Sequence, residues 1–380
     1  VAGLGLDELD LEKITRMLED AKTLVSSGFD YKAIAKRFKI GSKLAKLLYE
    51  SALSHVRFKD KFTHPYLMYI ESARLATHEV VADYHARRLK TDSIADLGCG
   101  VGIQLIHFAM HSKRAIGVEI DKTRAEIART NARIAGVEPE VIVGDVFSDE
   151  VKKNLDVDIV FSDPARPASE KVRTLNSCKP DPRRIVMEYK SRYAFDLPPQ
   201  ISREKVDLPK PIEFEYISLN HRLNRLTAYL GDLAKYKVSA IALPSEERIV
   251  YDSTIDRRIS QSKPEPGEIV YDVDPSIIKA DLLPELSAKH GLSLFMSDGK
   301  RALVYGSKVE SAFLQPFVFL GETDRLVDFL RKQGIGKVIL RYSISPTAYY
   351  KEKQKIESKL SGNDTAYIFK SKRYILLKKI

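Results

Sequence analysis

Asp96, Glu119, Asp145 and Asp163 each end or follow a short apolar run of this 380-residue chain. The runs are Ser93-Ile94-Ala95, Ala115-Ile116-Gly117-Val118, Val141-Ile142-Val143 and Asp158-Ile159-Val160-Phe161. Carboxylates placed at strand ends accept hydrogen bonds from amines and hydroxyls. Glu119 lies 23 positions after Asp96, about where a nucleotide-binding βαβ unit sets an acid on the ribose hydroxyls. Asp145 suits an adenine amino group.

The elements that must position these acids are legible around them. Gly98-Cys99-Gly100-Val101-Gly102 joins the first strand to a helix from Gln104 to His111. Glycines at alternate positions permit a tight turn and let a ligand approach bare backbone, and the helix behind them offers unpaired N–H groups. Four strands with helical segments between the first three predict an α/β sheet whose ligand lies beyond the strand carboxyl ends. A dinucleotide site asks for G-x-G-x-x-G; the spacing here is G-x-G-x-G. S-adenosylmethionine carries no phosphate, but it has an amino-acid head, a ribose and an adenine, which suit Asp96, Glu119 and Asp145.

This set resembles the class I S-adenosylmethionine-dependent methyltransferases. The resemblance implies a Rossmann-like, seven-stranded sheet and a cofactor held by Asp96, Gly98, Cys99, Gly100, Gly102, Glu119, Ile120, Asp145 and Val146. Thr77 joins them, because in that class the segment before the glycine strand often folds over the cofactor. Asp163-Pro164-Ala165-Arg166 then falls where the class keeps the group that receives the methyl. Relatives acting on base amines often have [Asn/Asp]-Pro-Pro-[aromatic] there, the acid aiming the nitrogen lone pair. This chain keeps the acid and first proline, but Ala165 and Arg166 replace the second proline and the aromatic. Arg166 suits stacking on a base or gripping a phosphate. Asp163, Pro164 and Arg166 are the expected catalytic residues.

The composition, 44% hydrophobic and 30% charged, is that of a soluble globular chain. No apolar run approaches the ~18 residues of a membrane span, and the first residues lack a secretory pattern. Two cysteines, one inside the glycine turn, make no disulfide framework. A reducing, cytoplasmic location is therefore expected. His107 and His111 lie four apart on one helix without a second pair, and read as one partly exposed helix face rather than a zinc site.

The net charge of +10 is concentrated at the ends. Tyr31 to Lys61 holds nine Lys/Arg against two acids, and Arg331 to Ile380 holds thirteen against three. Basic modules flanking an enzyme core suit a polyanion held through phosphates; a solvated lysine-rich surface gives the same composition.

Residues 7 to 60 read as helices, with a loose helix-turn-helix pattern at 31–51, and 65–90 as a further helical stretch. Arg184 to Tyr189 reads as a fifth strand, and Phe214–Leu219 with Lys237–Leu243 as a closing antiparallel pair. Later segments include Phe195-Asp196-Leu197-Pro198-Pro199, Tyr216-Ile217-Ser218-Leu219-Asn220, Tyr229-Leu230-Gly231, Tyr271 to Ile278 and Gly334 to Ile339. With Asp163-Pro164-Ala165-Arg166, this ordered series over residues 65 to 380 resembles methyltransferases that carry a C-terminal THUMP-like domain. Where those relatives tend to have two basic residues, this chain has Arg166-Pro167. The resemblance implies an N-terminal helical domain (1–62), a methyltransferase domain (63–245) and a THUMP-like α/β domain (246–380). It also implies RNA as partner, tRNA foremost. Methylation of DNA, a protein or a small molecule stays open, as does a non-catalytic RNA-binding protein that retains the cofactor fold.

Overall fold

The computed structural model describes residues 4–6, 9–167 and 173–380. The chain divides into two compact units, Val1–Phe214 with Leu226–Lys235, and Glu215–Arg225 with Tyr236–Ile380.

The first unit opens with helices α1 (Leu11–Ser26), α2 (Tyr31–Phe38) and α3 (Ser42–Arg57). Asp10 and Asp30 cap α1 and α2 by accepting first-turn N–H groups. Ile14, Met17, Leu18 and Ala21 recur on one face of α1 and are buried. They share one apolar core with Ala45, Leu48, Val101, Ile103, Ile106 and Ile127. The expected helical stretch at 65–90 is two helices, α4 (Ile70–Leu75) and α5 (Glu79–Arg88). The break falls where Ala76 turns extended (ψ 148°) and the His78 ring accepts from the Val80 N–H at 3.3 Å.

An alternating α/β run follows. It comprises β1 (Ser93–Leu97), α6 (Ile103–His111), β2 (Arg114–Glu119), α7 (Lys122–Ile134), β3 (Glu140–Val143), α8 (Asp149–Lys153) and β4 (Ile159–Ser162). Then come α9 (Pro182–Glu188), β5 (Arg192–Leu197), β6 (Ile212–Leu219), β7 (Leu223–Leu230), β8 (Val238–Leu243) and β9 (Glu247–Val250). The sheet order is β3-β2-β1-β4-β5-β7-β6-β8-β9, nine strands where seven were expected. The additional strands are β7 and β9, which pair antiparallel with β5 and β8 respectively. Arg184 to Glu188 is helical rather than a fifth strand. Asp181 caps that segment, accepting from the Arg183 N–H at 2.9 Å, and Pro182 occupies the first turn. The strand comes next, as β5.

Parallel register aligns the strand carboxyl ends. Asp96 of β1 sits beside Gly117 of β2 and Phe161 of β4, and Ser162 of β4 beside Phe195 of β5. The strand order reverses at β1, which opens a ligand crevice there.

The second unit continues with β10 (Ile269–Val273), α10 (Pro275–Ala280), α11 (Leu283–His290), β11 (Ser293–Ser297), β12 (Ala302–Tyr305) and β13 (Leu314–Thr323). It ends with α12 (Leu326–Lys332), β14 (Ile335–Leu340), α13 (Pro346–Glu357), β15 (Asp364–Lys370) and β16 (Tyr374–Lys379). Seven strands form a sheet in the order β11-β12-β10-β13-β16-β15-β14. Among the described residues no helix is long and apolar enough to cross a membrane.

Candidate active site

The turn after β1 is built on left-handed backbone: Gly98, Gly100 and Gly102 have φ of 89°, 59° and 88°. A Cβ is strained at such angles. At Gly102 it would also approach the Ala128 Cβ to 3.0 Å, whereas nothing lies within 4 Å of the Cβ position at Gly100. The Gly98 and Cys99 N–H groups donate to the Val118 carbonyl at 2.8 and 3.1 Å, which stitches the turn to β2.

Glu119 closes β2 and is 4% exposed. Its Oε2 accepts from the Gly100 N–H at 3.0 Å, while Oε1 accepts from the Asp121 N–H at 2.9 Å and Arg124 Nη2 at 2.7 Å. The adjoining Ile120 is 66% exposed, an apolar shelf beside an acid.

Asp96 is buried. Burial, with the charges of Asp163, Asp196 and Glu119 nearby, holds its carboxyl well above the usual range. The structure thus brings Asp96, Glu119 and Asp163 together. The Cys99 thiol is likewise raised, by burial and then by Asp96 and Glu119, and is unsuited to act as a nucleophile.

Asp163 follows Ser162, whose hydroxyl donates to the Leu97 carbonyl at 2.7 Å and ties β4 to β1. Beyond it, Pro164 is buried and Arg166 half-buried. Ala165 and Lys179 exchange two backbone hydrogen bonds of 2.9 Å, which fix the path of the chain leaving Asp163. Pro180 then lies 3.8 Å from the Cβ position of Gly98.

Asp145 is exposed, and its Oδ1 accepts from the Phe147 N–H at 2.9 Å. Val146 is buried, and its carbonyl accepts from the Tyr189 hydroxyl. Thr77 is buried in the link between α4 and α5. Asn131 binds the stretch ahead of that link to the glycine turn, with hydrogen bonds of 2.8–2.9 Å to Leu67 and the Val101 carbonyl.

Asp196 is the acid that sequence reasoning missed. It lies in β5 at 1% exposure, accepts from the Thr227 hydroxyl at 2.7 Å, and acts on Asp96. Thr227 also meets His85 Nε2 at 3.0 Å, and His85 Nδ1 meets Gln104 at 3.2 Å. In the sequence Asp196 stands within the Phe195-Asp196-Leu197-Pro198-Pro199 segment, which carried no site role there.

His107 is not on a partly exposed face. It is 8% exposed, with Nε2 3.8 Å from Glu79 and Nδ1 3.9 Å from Asp83. Among the described residues no group of His, Cys, Asp and Glu is arranged to hold a metal.

S-adenosylmethionine fits this crevice. Its cationic amine and sulfonium suit a cluster of acids in which burial, with the neighbouring charges, raises the Asp96 carboxyl; Glu119 would meet the ribose hydroxyls and Ile120 would offer an apolar face to the adenine. Gly100 leaves the space a side chain would occupy.

Residues 94–179 match the family model described as a methyltransferase domain. An uncharacterized S-adenosylmethionine-dependent methyltransferase of Mycobacterium tuberculosis is 27% identical over 247 residues, 64% of this chain and 66% of the relative. The match thus spans just under two thirds of that relative's length. A 23S rRNA (uracil(1939)-C(5))-methyltransferase of Marinomonas is 49% identical over 47 residues, 12% of this chain and 11% of the relative. The crystal structure of a proposed methyltransferase of Porphyromonas gingivalis W83 superposes with a TM-score of 0.72 at 19% identity. That likeness covers 98% of this chain and 99% of that one, and shows the shared fold. The α/β segment is an S-adenosylmethionine-dependent methyltransferase domain.

Proposed function

We propose that the protein methylates a base in RNA, tRNA foremost, with Asp163 orienting the acceptor. The observation that carries this reading is the position of Asp163. It stands one residue beyond β4, at the edge where Asp96 and Glu119 meet, and close enough to raise the Asp96 pKa. An acid there accepts hydrogen bonds from an acceptor amine and aims its lone pair. When bound, S-adenosylmethionine supplies an electrophilic methyl group. Glu119 and the Gly98–Gly102 turn would hold the ribose end, Asp96 would face the amine, and Asp163 with Arg166 would grip the acceptor. Catalysis is then positioning and electrostatics.

The basic stretches 31–61 and 331–380 support a polyanionic acceptor. The likeness of 47 residues to a rRNA methyltransferase is consistent with it. In this reading 1–62 is a helical domain, 63–245 the methyltransferase domain and 246–380 a THUMP-like, RNA-binding module, in a cytoplasmic enzyme. The test is transfer of labelled methyl from S-adenosylmethionine to unmodified tRNA, rRNA, DNA and protein pools. Label entering RNA alone is expected. Label entering only DNA or protein contradicts the acceptor assignment, and no label in any pool contradicts the reading as a whole.

A further inference from the structure

A second site stands in the second unit, where one turn and one loop from opposite flanks of the strand order line a single hollow. The turn between β11 and β12 lies at one flank of the strand order and the loop between β14 and α13 at the other. Lys300 and Arg301 from the first and Tyr342, Ser343 and Ser345 from the second line one hollow of about 460 Å³.

Both walls are fixed by short-range bonding. Asp298 Oδ1 accepts from the N–H groups of Lys300 and Arg301 at 2.9 and 2.7 Å, which sets the turn that presents the two cations. Opposite, Ser345 caps the twelve-residue α13, accepting from the Ala348 N–H at 3.2 Å, so the positive end of a helix faces the same hollow. Tyr342 packs edge-on against Tyr374, ring centres 6.2 Å apart, and Lys370 Nζ lies 4.8 Å from the Tyr374 ring and 6.0 Å from the Tyr342 ring. The adjoining Arg341 has a buried Nε with no hydrogen-bond partner. Acids acting on these groups include Asp298, 3.8 Å from Arg301, the buried Asp272, and Glu352, whose charge reaches Tyr342.

We propose that this hollow binds single-stranded RNA, with Lys300, Arg301 and the start of α13 on a phosphate and Tyr342 stacking a neighbouring base. Two cations on a rigid turn, hydroxyl donors and a braced aromatic ring are the parts that hold a phosphodiester and its base. A base can stack on the Tyr342 ring only when it is unpaired, because a duplex keeps its bases stacked inside. Single strands are therefore preferred. The strand's identity rests on the RNA reading above; the recognition chemistry does not.

The test uses the full chain and a fluorescent twelve-base oligouridylate, read by anisotropy across a salt series, with no methyl transfer involved. The Lys300→Ala/Arg301→Ala double variant is expected to bind about tenfold more weakly and to flatten the salt slope by about one unit. Tyr342→Ala is expected to lose about tenfold while Tyr342→Phe retains binding. S-adenosylmethionine affinity is expected to stay at the wild-type value in all of them, which verifies the fold. Wild-type binding by the double variant, equal binding of duplex and single strand, or no oligouridylate binding by wild type overturns the site. Methylation of RNA by the double variant at the wild-type rate and KM overturns it too, yet leaves the acceptor reading standing.

Discussion

The backbone N–H of Gly100 donates to Oε2 of Glu119 at 3.0 Å, so the turn that ends β1 and the acid that ends β2 are one piece. The ligand crevice is shaped by that bond as much as by either strand.

Two glycines near it separate space from strain. Gly100→Ala meets no atom within 4 Å, but its methyl projects into the open side of the turn. It should cost about 1 kcal/mol of stability from the positive φ, while weakening S-adenosylmethionine binding by about tenfold or more. Gly117→Ala places a Cβ 2.4 Å from Leu105 Cδ2 and 2.8 Å from Cys99 Sγ. It should lose about 1–3 kcal/mol through overpacking. Calorimetry and thermal unfolding of the two variants read both quantities.

The raised carboxyl of Asp96 makes cofactor binding pH-dependent. A cationic ligand favours the ionised acid, so wild-type affinity should rise as pH climbs through the elevated Asp96 titration. Asp96→Asn removes the titrating group and should flatten that rise. Asp163→Asn removes one of the charges raising it, and should move the rise to lower pH. Isothermal titration across the pH series checks all three.

Glu79 offers a prediction at the acid end. Burial opposes its ionisation, but His107, Thr63 and Tyr66 around it outweigh this and hold its carboxyl at about 2, against an ordinary 4.5. Its folded value is depressed, so the stabilisation is present above about pH 4.5 and lost as pH falls toward 2. Glu79→Gln should lower stability at neutral pH by on the order of 2 kcal/mol after solvent screening. It should also flatten the acid limb of a denaturation series.

Asp272 has the opposite sign. Burial is the main cause that pushes it up to about 6 from 3.8, against the nearby charges of His221, Arg341 and Arg301. The unfolded chain ionises first, so stability falls as pH rises from about 4 to about 6. Asp272→Asn should raise the neutral-pH unfolding temperature, a gain of about 1–2 kcal/mol that vanishes below about pH 4.

The first four strands and their acids were legible because each apolar run stops at a carboxylate. Residues 184–189 misled because Ile185, Val186 and Met187 suit a strand, while the decisive signals, Asp181 as cap and Pro182 in the first turn, lie just upstream. Asp196 escaped because its partners come from remote elements, Thr227 on β7 and His85 on α5. His107 read as part of a partly exposed face on its own helix, yet it is buried, with Glu79 and Asp83 of α5 within 4 Å of its ring. The basic C-terminus reads as an appendage, yet β14, β15 and β16 are three of seven strands in one sheet. Deleting 331–380 would break that sheet, so single side chains such as Lys300 are the sound probes of RNA binding.

The most direct measurement compares wild type with Asp163→Ala for S-adenosylmethionine affinity and for methyl transfer to RNA. Transfer should fall by about a thousandfold or more, with affinity within about threefold of wild type, because Asp163 would hold the acceptor rather than the cofactor. An equal fall in affinity and transfer, or a variant that still methylates RNA at the wild-type rate, would contradict the assignment of Asp163 to the acceptor.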